Sequence, residues 1–500
     1  MPSATAFTTY LLFTANLVNQ MGRVLVPAIK TTVLADAEFG AEFQDKVGGL
    51  LGSVSLVCLG GKLLGAAVTD RLGGWVVLIS VFAIWLVAIT ATFMAPSVDI
   101  FGYAWLLNSL AYTVTWGSIV QVIGAEYDAA GKAAQLAFCA SASRFGASIG
   151  NIIFGQLLSA GLGWRQVCMP MLPVQALLLA LCIYKWSTSA ASAAAAPAAG
   201  AKKTAGEPAP SVAGAFLSVD FWLMLIPKAV LFTYTQFFMN YIPQLLNAQY
   251  GYDHGDAASL GGIAQGGSVV GLLYVGNQIY KKMAPPQKVQ LVFVLLAVCG
   301  VVPLVLSLGP TVVPTVAVVP LTVLWGLCYA MPFYVPPGEF AMQVGGKSGT
   351  GLFTNLFDAA GFAASAMWNP WASAQAKSGD FTSVLYSQAA FGLISMVAMP
   401  LCMYRLNAKG AAPKKKAAPA TKAKASPKPS PKPSPKPKAA TPKSSPAPSP
   451  KRAAKSPARS KTPKKTPAST KKPKKTPAKS PAPSPRRLRS PSKRIAKKKD

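Results

Sequence analysis

Five charged residues stand inside long apolar stretches: Arg23, Arg144, Lys228, Glu339 and Asp358. A charge in such a place is expensive and is retained for a task. Arg23 lies in LVNQMGRVLVPAIK, where Asn16, Asn19 and Gln20 share roughly one helical face with it. A guanidinium there suits bidentate capture of phosphate or carboxylate. Lys228 lies in WLMLIPKAVLFTYTQFFMNY, followed by Tyr234, Gln236, Asn240 and Tyr241. One cation from each of two helices would clamp an anion, with Asn19, Tyr234 and Asn240 beside it. Arg23 precedes Pro27 by four residues and Lys228 precedes Pro243 by fifteen, so their depths differ by roughly 15 Å. The alternative is that each cation pairs with a structural acid or backbone group.

Asp358, in FTNLFDAAGF, can accept a proton and couple transport to it, or simply neutralise Lys228. Arg144 can face a cavity or pair within its bundle. Lys62 is expected to snorkel toward a nearby helix end. Glu339 follows MPFYVPPGE and is expected at the interface, and the lone His254 sits in a loop with no assigned role. A neutral sugar would instead need aromatics and amides, which Trp116, Tyr234, Asn240 and Trp325 can supply.

The elements that hold these residues are membrane spans. Residues 1–408 carry 18 basic and 15 acidic side chains, far fewer than a soluble domain of that length would show. Twelve apolar runs are expected as helices, because backbone in hydrocarbon must satisfy itself. They cover 7–29, 49–69, 75–95, 101–122, 134–158, 167–186, 219–242, 259–280, 289–309, 312–334, 349–369 and 382–404. The expected fold is an all-α membrane protein: a six-helix bundle over 1–186, a flexible linker over 187–216, and a second six-helix bundle over 217–408. Short loops on the N-terminal side hold nine basic residues (among them Arg71, Lys185, Lys281 and Lys282), against Lys30, Lys46, Arg165 and Lys377 opposite. Both termini are therefore expected in the cytoplasm.

Between the second and third runs the chain reads GKLLGAAVTDRLGG. Gly61 and Gly65 let helices approach closely. Gly65, Asp70, Arg71 and Gly73 resemble the loop motif of the major facilitator superfamily, with Gly74 where a basic residue is common. GGSVVGLLYVGNQIYKK looks like a degenerate copy in the second half. The resemblance covers about residues 5–405. It implies a secondary transporter working by alternating access, with Gly65, Asp70 and Arg71 stabilising one closed state. The basic residues of the first and seventh spans also resemble those of organophosphate/phosphate antiporters and related organic-anion carriers. The resemblance thus implies a small organic anion or phosphate ester as cargo. A sugar or other neutral metabolite is the alternative, and a non-transporting receptor or scaffold is a third reading. No catalytic constellation or cofactor motif is present, so neither an enzyme nor a cofactor is expected. A monomer is expected.

The seven cysteines lie in apolar surroundings without a close CxxC pair and read as packing residues. Residues 409–500 hold 31 Lys or Arg against the single acid Asp500, spaced by S/T-P and K-P steps. Such a segment is expected to stay disordered. It resembles a linker-histone C-terminus. In a membrane protein, anionic lipid headgroups are the favoured partner, with nucleic acid second. Ser456, Thr462, Ser484 and Ser490 precede prolines in basic surroundings and suit proline-directed phosphorylation, which would weaken lipid contact.

Overall fold

The structure, a computed structural model, describes residues 4–127, 129–195, 214 and 216–411. Most of the expected linker and nearly all of the basic tail lie outside the described residues, as do the tail's lipid contacts and phosphorylation sites.

Helices account for almost every described residue. In chain order they are α1 (Ala4–Leu34), α2 (Gly40–Leu72), α3 (Gly74–Met94), α4 (Val98–Glu126) and α5 (Ala129–Ser159). There follow α6 (Trp164–Cys168), α7 (Met171–Ala195), α8 (Val219–Asn240) and α9 (Ile242–Tyr250). The last are α10 (His254–Val270), α11 (Pro285–Leu306), α12 (Thr315–Lys377) and α13 (Thr382–Ala411). Helix α10 continues as a π-turn over Gly271–Ile279 and a 3-10 turn over Tyr280–Lys282. All belong to one compact unit, Met1–Ala420.

Among the described residues, nine segments are long and apolar enough to cross a membrane: Gly40–Gly65, Gly74–Met94, Val98–Glu126, Trp164–Thr188, Val219–Asn240, His254–Lys282, Pro285–Leu306, Thr315–Gly345 and Thr382–Lys409. The chain is an all-α, multi-pass membrane protein. Helices α1 and α5 fall outside this set although each has 31 residues. They carry polar side chains in mid-helix, Asn16, Asn19, Gln20 and Arg23 in α1 and Ser141, Ser143, Arg144 and Asn151 in α5. That polarity lowers their hydropathy and fits them to an interior wall.

Helix α12 is 63 residues long. Straight, it would reach about 95 Å, roughly three hydrocarbon cores. It folds back instead. The rings of Phe340 and Phe357 are 5.7 Å apart, although 17 residues of straight helix would separate them by about 25 Å. Its two arms carry five prolines, Pro320, Pro332, Pro336, Pro337 and Pro370, each of which removes a backbone donor and invites bending.

Glycines set the closest approaches. A Cβ on Gly146 of α5 would strike the Leu17 carbonyl of α1, and one on Gly61 of α2 would strike Thr113 of α4. Gly73 takes φ of 84°, so α2 turns into α3 at a single residue that other side chains rarely tolerate.

Apart from an ion pair between Lys62 and Asp358, most of the hydrogen bonds and ion pairs that join α1–α7 to α8–α13 gather toward one end. This far end is opposite the start of α1 and the end of α13. There Lys30 reaches Gln244, Ser159 reaches Asp256, Asn369 reaches Ser55, and Lys377 reaches Asp45. Gly155 and Gly255 place α5 and α10 so close that an added Cβ on either would strike the other helix's backbone. Gly48 of α2 packs likewise on Pro370 and Ser373.

Candidate functional site

On the near side of that seal lies a cavity of about 250 Å³. Asn16 and Gln20 of α1, Lys62 of α2, Tyr112 and Trp116 of α4, and Ser143 and Arg144 of α5 form one wall. Lys228 of α8, Leu272 of the π-turn, and Tyr334, Thr354, Phe357 and Asp358 of α12 form the other. Four helices from the first part of the chain thus face three from the second.

Among the described residues, Asp358 is the single acid on this wall. Its Oδ1 lies 3.4 Å from Lys228 Nζ, and its Oδ2 lies 3.9 Å from Lys62 Nζ. Lys228 is 4 % exposed, and its ammonium also donates to the Phe333 carbonyl at 3.3 Å and sits 3.3 Å from the Phe333 ring centroid. The pairing of Asp358 with Lys228 is thus present, and Lys62 joins it. Lys62 does not snorkel. Helix α2 runs on to Leu72, ten residues past it, and its ammonium turns inward.

The two arginines are held differently. Arg23 donates to the Tyr112 hydroxyl at 2.9 Å, its guanidinium carbon 4.2 Å from that ring's centroid. It lies with Lys62, Arg144 and Asp358 in a pocket of about 60 Å³ that does not include Lys228. The two cations expected to form one clamp therefore line different spaces. Arg144 lies over the Tyr334 ring, its guanidinium carbon 4.6 Å from the centroid.

The other expected contacts divide. Asn19 is buried against α4, where Thr115 donates to it at 3.4 Å; Asn16 and Gln20 occupy the cavity wall instead. Asn240 lies with Arg23, Ser109 and Gln236 in a pocket of about 20 Å³ and donates to Gln236 at 3.1 Å. Tyr234 does not line the cavity. It is fully buried, its hydroxyl donates to the Gln388 carbonyl at 2.7 Å, and its ring packs on Trp325 and Tyr329. Trp325 is equally buried, whereas Trp116 lines the cavity.

Gly65 packs under Val114 of α4, which lies 3.0 Å from where its Cβ would stand. Asp70 and Arg71 lie in the last turn of α2 and are exposed. Neither makes an ion pair with another described residue.

Sequence reasoning left out two groups. Tyr112 and Tyr334 are ordinary aromatics in apolar runs, and only tertiary structure stacks arginines on them. Lys30 reads as a loop residue but lies in α1, 2 % exposed, donating to Gln244 at 2.9 Å above the Tyr241 ring. Glu339, expected at the interface, has partners at two helix ends: Tyr280 donates to it at 2.7 Å, and Lys288 lies 3.4 Å away.

A transverse cavity between two sets of helices, sealed at one end, is the geometry of a carrier. Residues 12–368 match the family model of the Major Facilitator Superfamily. The chain belongs to this superfamily. Its members are non-catalytic membrane carriers, and among the described residues no cluster of His, Cys, Asp or Glu could hold a metal ion. A crystal structure of a D-xylose-proton symporter is similar in fold, with a TM-score of 0.59 and 13 % identity over 81 % of this chain and 98 % of that one. A structure of the nucleoside transporter NupG, in a mutant form, gives a TM-score of 0.58 and 14 % identity over 79 % of this chain and 100 % of that one. No curated protein matches the chain in sequence. The protein is a secondary transporter of the alternating-access kind, and the conformer described here is sealed at its far end.

Proposed function

We propose that this carrier moves a small organic anion, a carboxylate or phosphate ester. One observation supports the reading above others. Lys62, Arg144 and Lys228 line the cavity against the single carboxylate of Asp358. Buried charge is costly unless neutralised, so the surplus of positive charge favours an anionic cargo. Arg23, in the adjoining pocket, adds to that field.

The same reading takes the chain as twelve spans in two six-helix bundles, with α1, α5 and the second arm of α12 added to the nine apolar segments. The bundles would rock about the cavity, and Gly65, Asp70 and Arg71 would hold the near end closed in the opposite conformer. Both termini would face the cytoplasm, the protein would act as a monomer, and the basic tail would touch anionic lipid headgroups. The cytoplasmic orientation is supported by the excess of basic loop residues on that side.

A second reading has its own support. Asp358 already occupies both lysines, while Asn16, Gln20, Tyr112, Trp116 and Tyr334 offer the amides and rings that suit a neutral polar solute. The two similar structures named above are carriers of D-xylose and of nucleosides.

Counterflow with the full chain in liposomes separates the readings. The expected result is exchange of labelled phosphate, glycerol 3-phosphate or succinate, reduced at least tenfold by Lys228→Met. Exchange of D-xylose or uridine without any anion exchange would establish the second reading. Binding of a solute without flux would make the protein a receptor.

A further inference from the structure

Each cation around the cavity but one has a polar partner among the described residues. Lys62 and Lys228 share Asp358, and Arg23 donates to Tyr112. Arg144 is the exception. It lies on α5 beside Ala140 and Ser143, half-buried; among the described residues it makes no hydrogen bond or ion pair, and its guanidinium carbon lies over the ring of Tyr334 on α12. A guanidinium lying over a ring face leaves N–H donors that the ring does not satisfy, a fork matched to a carboxylate. No acid among the described residues meets that fork, and the cavity's one acid is already engaged by two lysines.

The rest of the wall bears on what the anion carries. Around Arg144 stand Tyr112, Trp116, Tyr334, Phe357, Leu272 and Pro337, while Asn16, Gln20, Ser143 and Thr354 supply uncharged polar atoms beside the Lys62–Asp358–Lys228 cluster. Rings dominate a space of about 250 Å³, small among ligand pockets. Inorganic phosphate would leave those rings unused, whereas a carboxylate on a flat apolar body would engage both the fork and the rings.

We propose that Arg144, stacked on Tyr334, anchors the carboxylate of the cargo, and that the cargo is a compact organic carboxylate with a flat, apolar body. The proposal rests on the anion reading above and narrows it. Because Arg144 belongs to α5 and Tyr334 to α12, a carboxylate held at this stack touches both sets of helices. It would thereby bias the equilibrium between conformers, as a transported ligand must.

The test is equilibrium binding of benzoate, acetate, inorganic phosphate, glycerol 3-phosphate and D-xylose to the purified full chain, followed by calorimetry. Benzoate should bind tightest of the five. Arg144→Lys keeps the charge but loses the fork and the stack, and should weaken benzoate at least tenfold. Tyr334→Leu keeps the guanidinium and should lower the benzoate-to-acetate preference at least threefold. That ratio is unaffected by a partial loss of folded protein. Unchanged benzoate affinity in Arg144→Lys would overturn the anchor while leaving an anion carrier standing. Phosphate or glycerol 3-phosphate binding more tightly than benzoate would overturn the flat carboxylate and again leave the anion reading. D-xylose binding alone would remove both, and an absence of benzoate binding at millimolar concentration would also overturn the proposal.

Discussion

Lys62 Nζ of α2 stands 3.9 Å from Asp358 Oδ2 of α12, and this ion pair bridges the two sets of helices in the middle of the molecule. The same carboxylate reaches Lys228 with its other oxygen. Breaking one member of a buried pair leaves an uncompensated charge, whereas removing both members together is far less harmful. Asp358→Asn should therefore lower the stability of the detergent-solubilised protein by about 2 kcal/mol, short of the larger losses at fully buried pairs, because Asp358 is partly exposed. Adding Lys228→Met should recover at least half of that loss. Denaturant unfolding followed by tryptophan fluorescence measures both. Equal losses that simply add would mean that the two residues are not energetically coupled.

The nine apolar spans were legible because hydrocarbon forces backbone into helices, and unbroken apolar runs report that directly. Rotation about a helix axis was less so. Lys62 looked like a snorkelling residue because its distance from the end of α2 was misjudged, and Lys30 looked like a loop residue because α1 continues to Leu34. The misplacement of Tyr234 was avoidable. Six residues beyond Lys228 is about 240° around the helix, so both cannot face one cavity; Phe232 and Thr235 share the lysine's face instead. The stacks of Arg23 on Tyr112 and Arg144 on Tyr334 join residues 89 and 190 positions apart, and no local pattern encodes them.

Asp36 lies between α1 and α2, outside the spans. Partial burial works against its ionisation. The bond from Trp164 at 2.8 Å, those from the Phe39 and Glu38 amides at 3.0 Å, and the charge of Arg165 outweigh that and hold its carboxyl below the usual range. A depressed folded-state pKa stabilises the fold above the unfolded carboxyl value, near 4, and that contribution fades as pH falls through the folded value. The melting temperature should therefore drop below about pH 4, and Asp36→Asn should flatten that drop while lowering stability at pH 7. An Asp36→Asn profile parallel to wild type would sever the link between this loop and the acid sensitivity.

The end of α13 is tied to the start of α8. Asp220, 2 % exposed, accepts from both Arg405 and Lys409, and its carbonyl accepts from Cys402 at 3.2 Å. Helix α13 thus stays ordered to Ala411, a little beyond the boundary that composition suggests. Asp220→Asn removes the charge but not the acceptor oxygen, so the last turn should fray while the fold survives. Trypsin should cut at Arg405 and Lys409 several times faster in the variant, with the melting temperature lowered by a few degrees. Unchanged cleavage would mean that packing alone holds the turn.

The far-end seal offers the most direct test of alternating access. A Cβ at Gly48 would stand 3.1 Å from the Ser373 Cβ, close to disulfide range and within reach after a small relaxation. The seven native cysteines are all buried, so oxidation should act on the new pair. In Gly48→Cys/Ser373→Cys, oxidation ties α2 to α12 and should stop counterflow by at least 90 %, with recovery after reduction. Either single variant should be insensitive to oxidant. The disulfide holds the seal shut without touching the cavity, so ligand binding from the near side should persist in the oxidised protein. Flux that survived a completed cross-link would mean that the far end need not open for transport, and that the cavity empties by another route.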